Sequence, residues 1–167
     1  MTRKVILYVA TSLDGFIARK NGSVDWLTDY ENKGEDYGYH DFLESIETVV
    51  LGNETYKQFK APYPNKKCFV FSRKNTGKEE NITYVNDNVK NFVHNLSDDE
   101  KIWVVGGSKI IKEFMKSNLI DDFIITIIPI ILGEGIRLFE EKGTEQKLKF
   151  QNIKAYDSGV VQLFYSS

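Results

Sequence analysis

Residues 103–135 place the tightest constraint on what this chain can become. Trp103-Val-Val-Gly-Gly-Ser-Lys-Ile-Ile111 runs an apolar strand into two glycines and a helix start. Asp121-Asp-Phe-Ile-Ile-Thr-Ile-Ile-Pro-Ile-Ile-Leu-Gly-Glu-Gly135 then supplies a second, longer strand. Strand, tight turn, helix and strand in that order are the grammar of an α/β protein. Gly106 and Gly107 carry no Cβ, so the backbone there can approach a ligand closely. The amides that open the following helix face any anion held at the turn. The segment predicts a phosphate-bearing cofactor at a strand-to-helix junction.

The rest of the chain extends this pattern. Val5–Ala10, Thr48–Leu51, Lys67–Ser72, Ile82–Val85 and Ile102–Val105 read as strands. Helical spacing predicts helices over 36–47, Glu54–Phe59 and Asn88–Leu96, and around Ile110, Ile111, Phe114 and Met115. Residues 13–35 read as a long functional loop. Phe123–Leu132 reads as one strand with Pro129 marking an edge position or a bulge. Lys147–Tyr156 and Val160–Tyr165 form a hairpin about Asp157-Ser-Gly159. Early strands alternate with helices and late ones do not. The expectation is a single α/β domain over 1–167: a mixed, mostly parallel sheet with an antiparallel C-terminal hairpin and flanking helices.

Composition removes several function classes. A net charge of −2 gives no general attraction to nucleic acid or to a membrane surface. Cys68 is the one cysteine and His40 and His94 the two histidines, which argues against a disulfide framework or a metal centre. The apolar run Val5–Ala10 is too short for a signal core, so the expected address is the cytoplasm. Asp98-Asp-Glu-Lys101 and Glu140-Glu-Lys142 read as solvated charge runs.

Three strand ends carry polar or glycine residues: Leu51-Gly-Asn-Glu-Thr55, Val70-Phe-Ser-Arg-Lys74 and Val105-Gly-Gly-Ser108. Ligands of open α/β sheets bind beyond the carboxyl ends of strands, and three such ends suit one extended dinucleotide. Gly52, Gly106 and Gly107 suit its pyrophosphate, and Arg73 and Lys74 a further phosphate such as the 2′-phosphate of NADP. The Rossmann GxGxxG pattern is absent near the first strand. Ser12-Leu-Asp-Gly-Phe-Ile-Ala18 sets small and polar groups just past that strand. Trp26 suits either a lid over a flat heterocycle or plain packing. Asp36, Tyr39 and His40 open the next helix; Asp36 is a candidate partner for an amino-pyrimidine edge and for proton delivery, or else a charge stabilising its own helix.

Four ordered motifs resemble a known superfamily: Ser12-Leu-Asp-Gly-Phe-Ile-Ala18, Val50-Leu-Gly-Asn-Glu-Thr-Tyr56, Val104-Val-Gly-Gly-Ser108 and Ile128-Pro-Ile-Ile-Leu-Gly-Glu-Gly-Ile-Arg-Leu-Phe139. They are similar to the dihydrofolate reductase-like proteins. The nearer branch is the C-terminal reductase domain of the bifunctional riboflavin-biosynthesis deaminase-reductase. That resemblance implies an eight-stranded or similar three-layer sheet with NADPH lying across the strand ends. It implies cofactor contacts from Ala10, Gly15, Gly52, Asn53, Thr55, Ser72, Arg73, Lys74, Gly106, Gly107, Ser108 and Ile110. It implies catalytic roles for Asp36 and Asp14, and substrate contacts from Ser12, Trp26, Tyr39, His40 and Tyr56. The family commonly has arginine where this chain has Asn53, and loss of such a phosphate contact costs about 1–3 kcal/mol unless Arg73 or Lys74 takes over. A single cysteine leaves no room for the zinc deaminase partner domain.

The implied activity is NADPH-dependent hydride transfer to a 5-amino-6-(5-phosphoribosylamino)uracil-like pyrimidine or a pteridine. Two alternatives stand beside it: a dihydrofolate reductase, and a non-catalytic relative that binds a nucleotide or flavin. A homodimer is expected, because the apolar 123–132 strand exceeds what one small domain must cover.

Overall fold

The computed structural model describes residues 2–31, 34–141 and 143–167. Eleven strands and five short α-helices follow in chain order. They are β1 Lys4–Ser12, β2 Phe16–Ala18, α1 Thr28–Glu31, α2 Tyr39–Glu44, β3 Thr48–Gly52, α3 Asn53–Phe59, β4 Lys67–Phe71, β5 Lys78–Glu79, β6 Ile82–Val85, α4 Val89–His94, β7 Lys101–Gly106, α5 Ser108–Lys116, β8 Asp122–Ile128, β9 Ile136–Arg137, β10 Lys149–Ala155 and β11 Val161–Ser166. Nine strands form one sheet in the order β10-β11-β8-β1-β7-β3-β4-β6-β5. From β8 through β6 every pairing is parallel; β11 on β8, β10 on β11 and β5 on β6 are antiparallel.

Central strands are apolar on both faces because helices cover both. Val5, Leu7, Val50, Ile102, Val104 and Phe123 pack under α4 and α5 with Phe92, Ile111 and Phe114. Ile6, Val49, Leu51, Val70 and Trp103 pack on the opposite face with Ile46 and Tyr56. Phe114 and Phe123 are almost wholly buried, and burial of each such ring contributes about 1.5–3 kcal/mol. Asn88 caps α4 by accepting the Asn91 amide at 2.9 Å, so that helix starts where its sequence says.

Several expectations need correction. Residues 13–35 are not all loop: β2 pairs antiparallel with β9, and a 3₁₀ turn over Asp25–Leu27 leads into α1. The helix expected over 36–47 is shorter, because Gly38 takes a left-handed φ of 75° and α2 begins only at Tyr39. The strand expected to reach Leu132 ends at Ile128, and β8 lies inside the sheet between β1 and β11. Pro129 therefore terminates that strand instead of marking an edge or bulge, as its missing N–H requires. The charge runs are not simply solvated. Glu100 is buried and pairs with Lys67, while Glu140 pairs with Lys112 at 2.6 Å; Lys142 lies outside the described residues. Among the described residues no helix is long and apolar enough to cross a membrane.

Candidate functional site

The carboxyl edge of the parallel strands gathers the glycines into one cradle. In register, Leu51 of β3 pairs with Gly106 of β7 after a slip, so both strands finish side by side. A methyl built on Gly52 would sit 3.5 Å from the Gly107 amide nitrogen and 3.8 Å from Ile110 Cγ2. One built on Gly107 would meet Thr55 Oγ1 at 3.2 Å. Gly106 has a φ of 132°, open to glycine alone, and its peptide bond to Gly107 is cis. Gly52, Thr55, Gly106, Gly107 and Ile110 are thus drawn together from two strand-to-helix junctions far apart in the chain. Helices α3 and α5 both start from these glycines, and neither has a capping side chain on its first amides. Such uncapped amides are open to an anion.

β4 leaves the sheet beside this cradle, since Gly52 pairs with Phe71. Ser72 is buried, and its Oγ accepts the amides of Lys74 at 3.3 Å and Asn75 at 3.0 Å. That turn sends Arg73 and Lys74 into solvent, and among the described residues neither cation has an acceptor. Asn53 opens α3 with a buried Oδ1 that has no donor. Ser108 Oγ donates to Glu140 Oε1 at 3.3 Å, and Lys112 Nζ donates to the other oxygen, Oε2, at 2.6 Å.

The loop after β1 is built by Asp14. Its carboxylate accepts from Ser12 Oγ at 2.6 Å, from the Leu132 amide at 3.1 Å and from the Gly133 amide at 2.7 Å. The Ser12 hydroxyl, foremost among these donors, holds the Asp14 carboxyl down at about 2. A carboxylate so engaged tethers the loop, and that is the role its hydrogen bonds give it. Ser12 Oγ has its one proton committed to Asp14 and also accepts the Phe16 amide at 3.0 Å.

Asp36 takes the blander of its two readings. It is exposed and accepts the Gly38 amide at 2.9 Å and the His40 amide at 3.2 Å, and these bonds lower its pKa. Tyr39 stands over the sheet near the rings of Tyr8 at 6.2 Å and Trp103 at 6.0 Å. The His40 side chain is 73% exposed and faces Glu44, away from that cluster. Tyr56 is core, packed with Ile46 and Leu51 and against Tyr84, which removes it from the substrate contacts expected. Trp26 is packed with Ile128 and Val160, and its buried indole N–H has no acceptor. Packing, not a lid, is the place the fold gives it. His40, Asp41 and Glu44 bring ligand-type atoms within 4.8 Å of one another, but all three are exposed.

Sequence reasoning passed over a polar floor on the same side of the sheet. Tyr8, Thr126 and Gln162 interrupt apolar strands at positions that pair with the core, and Gln162 is 2% exposed. Burial pushes the Tyr8 phenol up to about 12. The available signal was a lone polar residue inside each hydrophobic strand.

A mixed sheet covered by helices on both faces, with two helix starts meeting at a glycine cradle on its carboxyl edge, has the dihydrofolate reductase-like fold. The family model of the RibD C-terminal domain matches residues 3–162, and the chain belongs to that family. It is 42% identical to the uncharacterized protein YwjB of Bacillus subtilis (strain 168), covering 99% of this chain and 98% of that one. Among solved structures it is similar to a Shewanella sp. PV-4 protein provisionally assigned to riboflavin biosynthesis, with a TM-score of 0.86, 29% identity and coverage of 99% and 98%. The diaminohydroxyphosphoribosylaminopyrimidine deaminase/5-amino-6-(5-phosphoribosylamino)uracil reductase of Thermotoga maritima shares the fold at a TM-score of 0.78 and 22% identity; 99% of this chain covers 56% of that one. Dihydrofolate reductase of Enterococcus faecalis, complexed with NADP(H), shares it at a TM-score of 0.67 and 16% identity over 98% and 95% of the two chains.

Proposed function

We propose that this protein is an NADPH-dependent reductase that transfers hydride to a uracil-like pyrimidine or a pteridine. One observation carries the reading: the uncapped starts of α3 and α5 meet at Gly52 and Gly107 beside two unpartnered cations. Gly52, Thr55, Gly106, Gly107 and Ser108 would hold the pyrophosphate; a Cβ on Gly107 would press on Thr55 Oγ1, and the φ of Gly106 suits glycine alone. Ser72 shapes the turn from which Arg73 and Lys74 would hold the 2′-phosphate. Asn53 offers that phosphate no charge, so the neighbouring cations replace the arginine that the family commonly has there. When bound, NADPH would supply the hydride. The chain's own contribution is orientation: Asp14 fixes the loop carrying Gly15, Ala10 leaves room for a flat ring, and the Tyr8–Tyr39–Trp103 aromatic wall excludes water.

Titration with NADPH and NADH, followed by nicotinamide fluorescence, tests this. NADPH should bind more tightly than NADH, and Arg73→Ala should weaken NADPH by about 10- to 100-fold, the worth of one charge-assisted phosphate contact, with NADH little changed. Absence of NADPH binding at millimolar cofactor refutes the proposal. The dihydrofolate reductase reading needs an available carboxylate in the pocket, and the capping position of Asp36 weighs against it.

The same reading takes a second copy of the chain as partner. Across β8, β11 and β10 the registers Ile125–Leu163–Ile153 and Phe123–Tyr165–Phe150 set one apolar face in rows. Phe150 and Ile153 at its outer strand are 61% and 53% exposed. A two-fold pair would lay the outer part of this face, around Phe150 and Ile153, on itself, since the inner row at Phe123 is already covered by the core.

A further inference from the structure

The floor beneath residues 34–38 has an unusual balance of donors and acceptors. Ala10, Thr126 and Gln162 stand in one row across β1, β8 and β11, and Tyr8 shares their face two residues earlier. Gln162 Nε2 donates to Thr126 Oγ1 at 2.9 Å and reaches the Tyr37 carbonyl at 3.3 Å and the Tyr8 hydroxyl at 3.4 Å. Gln162 Oε1 accepts from the Tyr156 hydroxyl at 3.4 Å. The Tyr8 hydroxyl also donates to the Tyr37 carbonyl, at 3.4 Å. Two side-chain donors from the sheet therefore converge on one oxygen, and that oxygen is main chain.

The segment that delivers it is anchored through the Tyr37 hydroxyl, which donates to Ser158 Oγ at 3.1 Å, but its backbone is strained. Gly34, Tyr37 and Gly38 all have positive φ, at 76°, 55° and 75°, and a non-glycine residue is uncommon there. Both bonds to the Tyr37 carbonyl lie beyond the usual hydrogen-bond range. In the same cluster Trp26 carries a buried N–H with no acceptor. The nearby carboxylate of Asp36 is engaged by the Gly38 and His40 amides. What the floor offers a ligand is donors, and what it asks for is a carbonyl oxygen.

Building on the reductase reading, we propose that Gln162 and Tyr8 determine specificity by reading a ring carbonyl of the substrate, and that the Tyr37 carbonyl occupies that place until an oxo-pyrimidine or oxo-pteridine displaces it. A ring bearing amino groups at the same positions would set donor against donor and be rejected. Segment 34–38 must move when substrate enters.

The test uses lumazine, with two ring carbonyls, and 2,4-diaminopteridine, its amino counterpart. Dissociation constants are read by ligand fluorescence on the intact chain, with and without NADP+, and NADPH affinity is measured separately for every variant. Lumazine should bind wild type about tenfold more tightly than the diamino compound, a difference expected from one mismatched buried hydrogen bond. Gln162→Glu exchanges the donor for an acceptor of the same shape and should abolish or invert that preference. Tyr8→Phe should weaken lumazine severalfold and leave the diamino compound unchanged, which keeps the test decisive if Gln162→Glu fails to fold. Equal affinities in wild type, an unaltered preference in folded variants, or no binding of either pteridine at millimolar concentration overturns the proposal. Failure of NADPH binding with the carbonyl preference intact would instead sink the reductase reading and leave this floor standing.

Discussion

Gly135→Ala strikes the join between the site loop and the sheet, and its cost can be worked out from geometry. Gly135 has a φ of 151°, and a methyl there would lie 2.3 Å from the Ala18 carbonyl oxygen and 3.4 Å from Phe16 Cδ1. That oxygen cannot rotate away, because it belongs to β2 where Ala18 pairs with Ile136. The strained φ alone costs about 1–3 kcal/mol. Forcing the two backbones apart adds roughly 1–3 kcal/mol, the usual penalty for an overpacked site. Gly133→Ala is the matched control: its φ is 78°, and a methyl there meets nothing within 4 Å, so only about 1–2 kcal/mol is expected. Urea unfolding followed by circular dichroism should show Gly135→Ala less stable than Gly133→Ala by about 1–3 kcal/mol, since only the first adds overpacking to strain. The shift of β2 should also drag the Asp14–Gly15 turn and weaken NADPH. Equal losses for the two variants would refute the close-approach argument.

Three further outcomes follow from other parts of the molecule. Asp14 has a carboxyl held at about 2 against the ordinary 3.8; a depressed folded-state pKa stabilises above the unfolded value and is lost as pH falls through the folded one. The melting-temperature gap between wild type and Asp14→Asn should therefore be full at pH 5 and shrink towards pH 2, and a constant gap would refute the tether. Phe150→Glu in the outer strand should convert a dimer to monomer by light scattering without unfolding it; an unaltered mass, or a monomeric wild type, removes the self-pairing face. Glu100→Gln should lower stability by about 1–3 kcal/mol in chemical denaturation, the cost of weakening a buried charge-assisted bond, because Glu100 is 3% exposed against Lys67; a neutral result would place that pair among ordinary surface bridges.

Local signals made much of the architecture readable. The apolar runs of β3, β4 and β7 and the glycines ending two of them appear in the sequence as they stand in the sheet, since fully buried parallel strands leave a continuous hydrophobic trace. The cradle of Gly52, Gly106 and Gly107 was equally visible, because glycine declares a backbone need that no other residue meets. Roles that depend on where a side chain's hydrogen bonds go were not visible. Asp36 and Asp14 look like acids on the page and are a cap and a tether in space. Tyr56 follows a site motif yet faces the core, since a single step along the helix, about 100°, turns it away from Thr55.

By itself the chain's order of residues settled the layers, most strand positions and the strand-end glycine cradle, because those follow from periodicity and backbone freedom. Tertiary structure alone decided that β8 is interior, that Glu100 and Glu140 are paired, and that Tyr8, Thr126 and Gln162 form one floor. The physical reason is range. Burial and backbone conformation are encoded by near neighbours, whereas a hydrogen bond between residues 8 and 162 exists only after three strands have found their register.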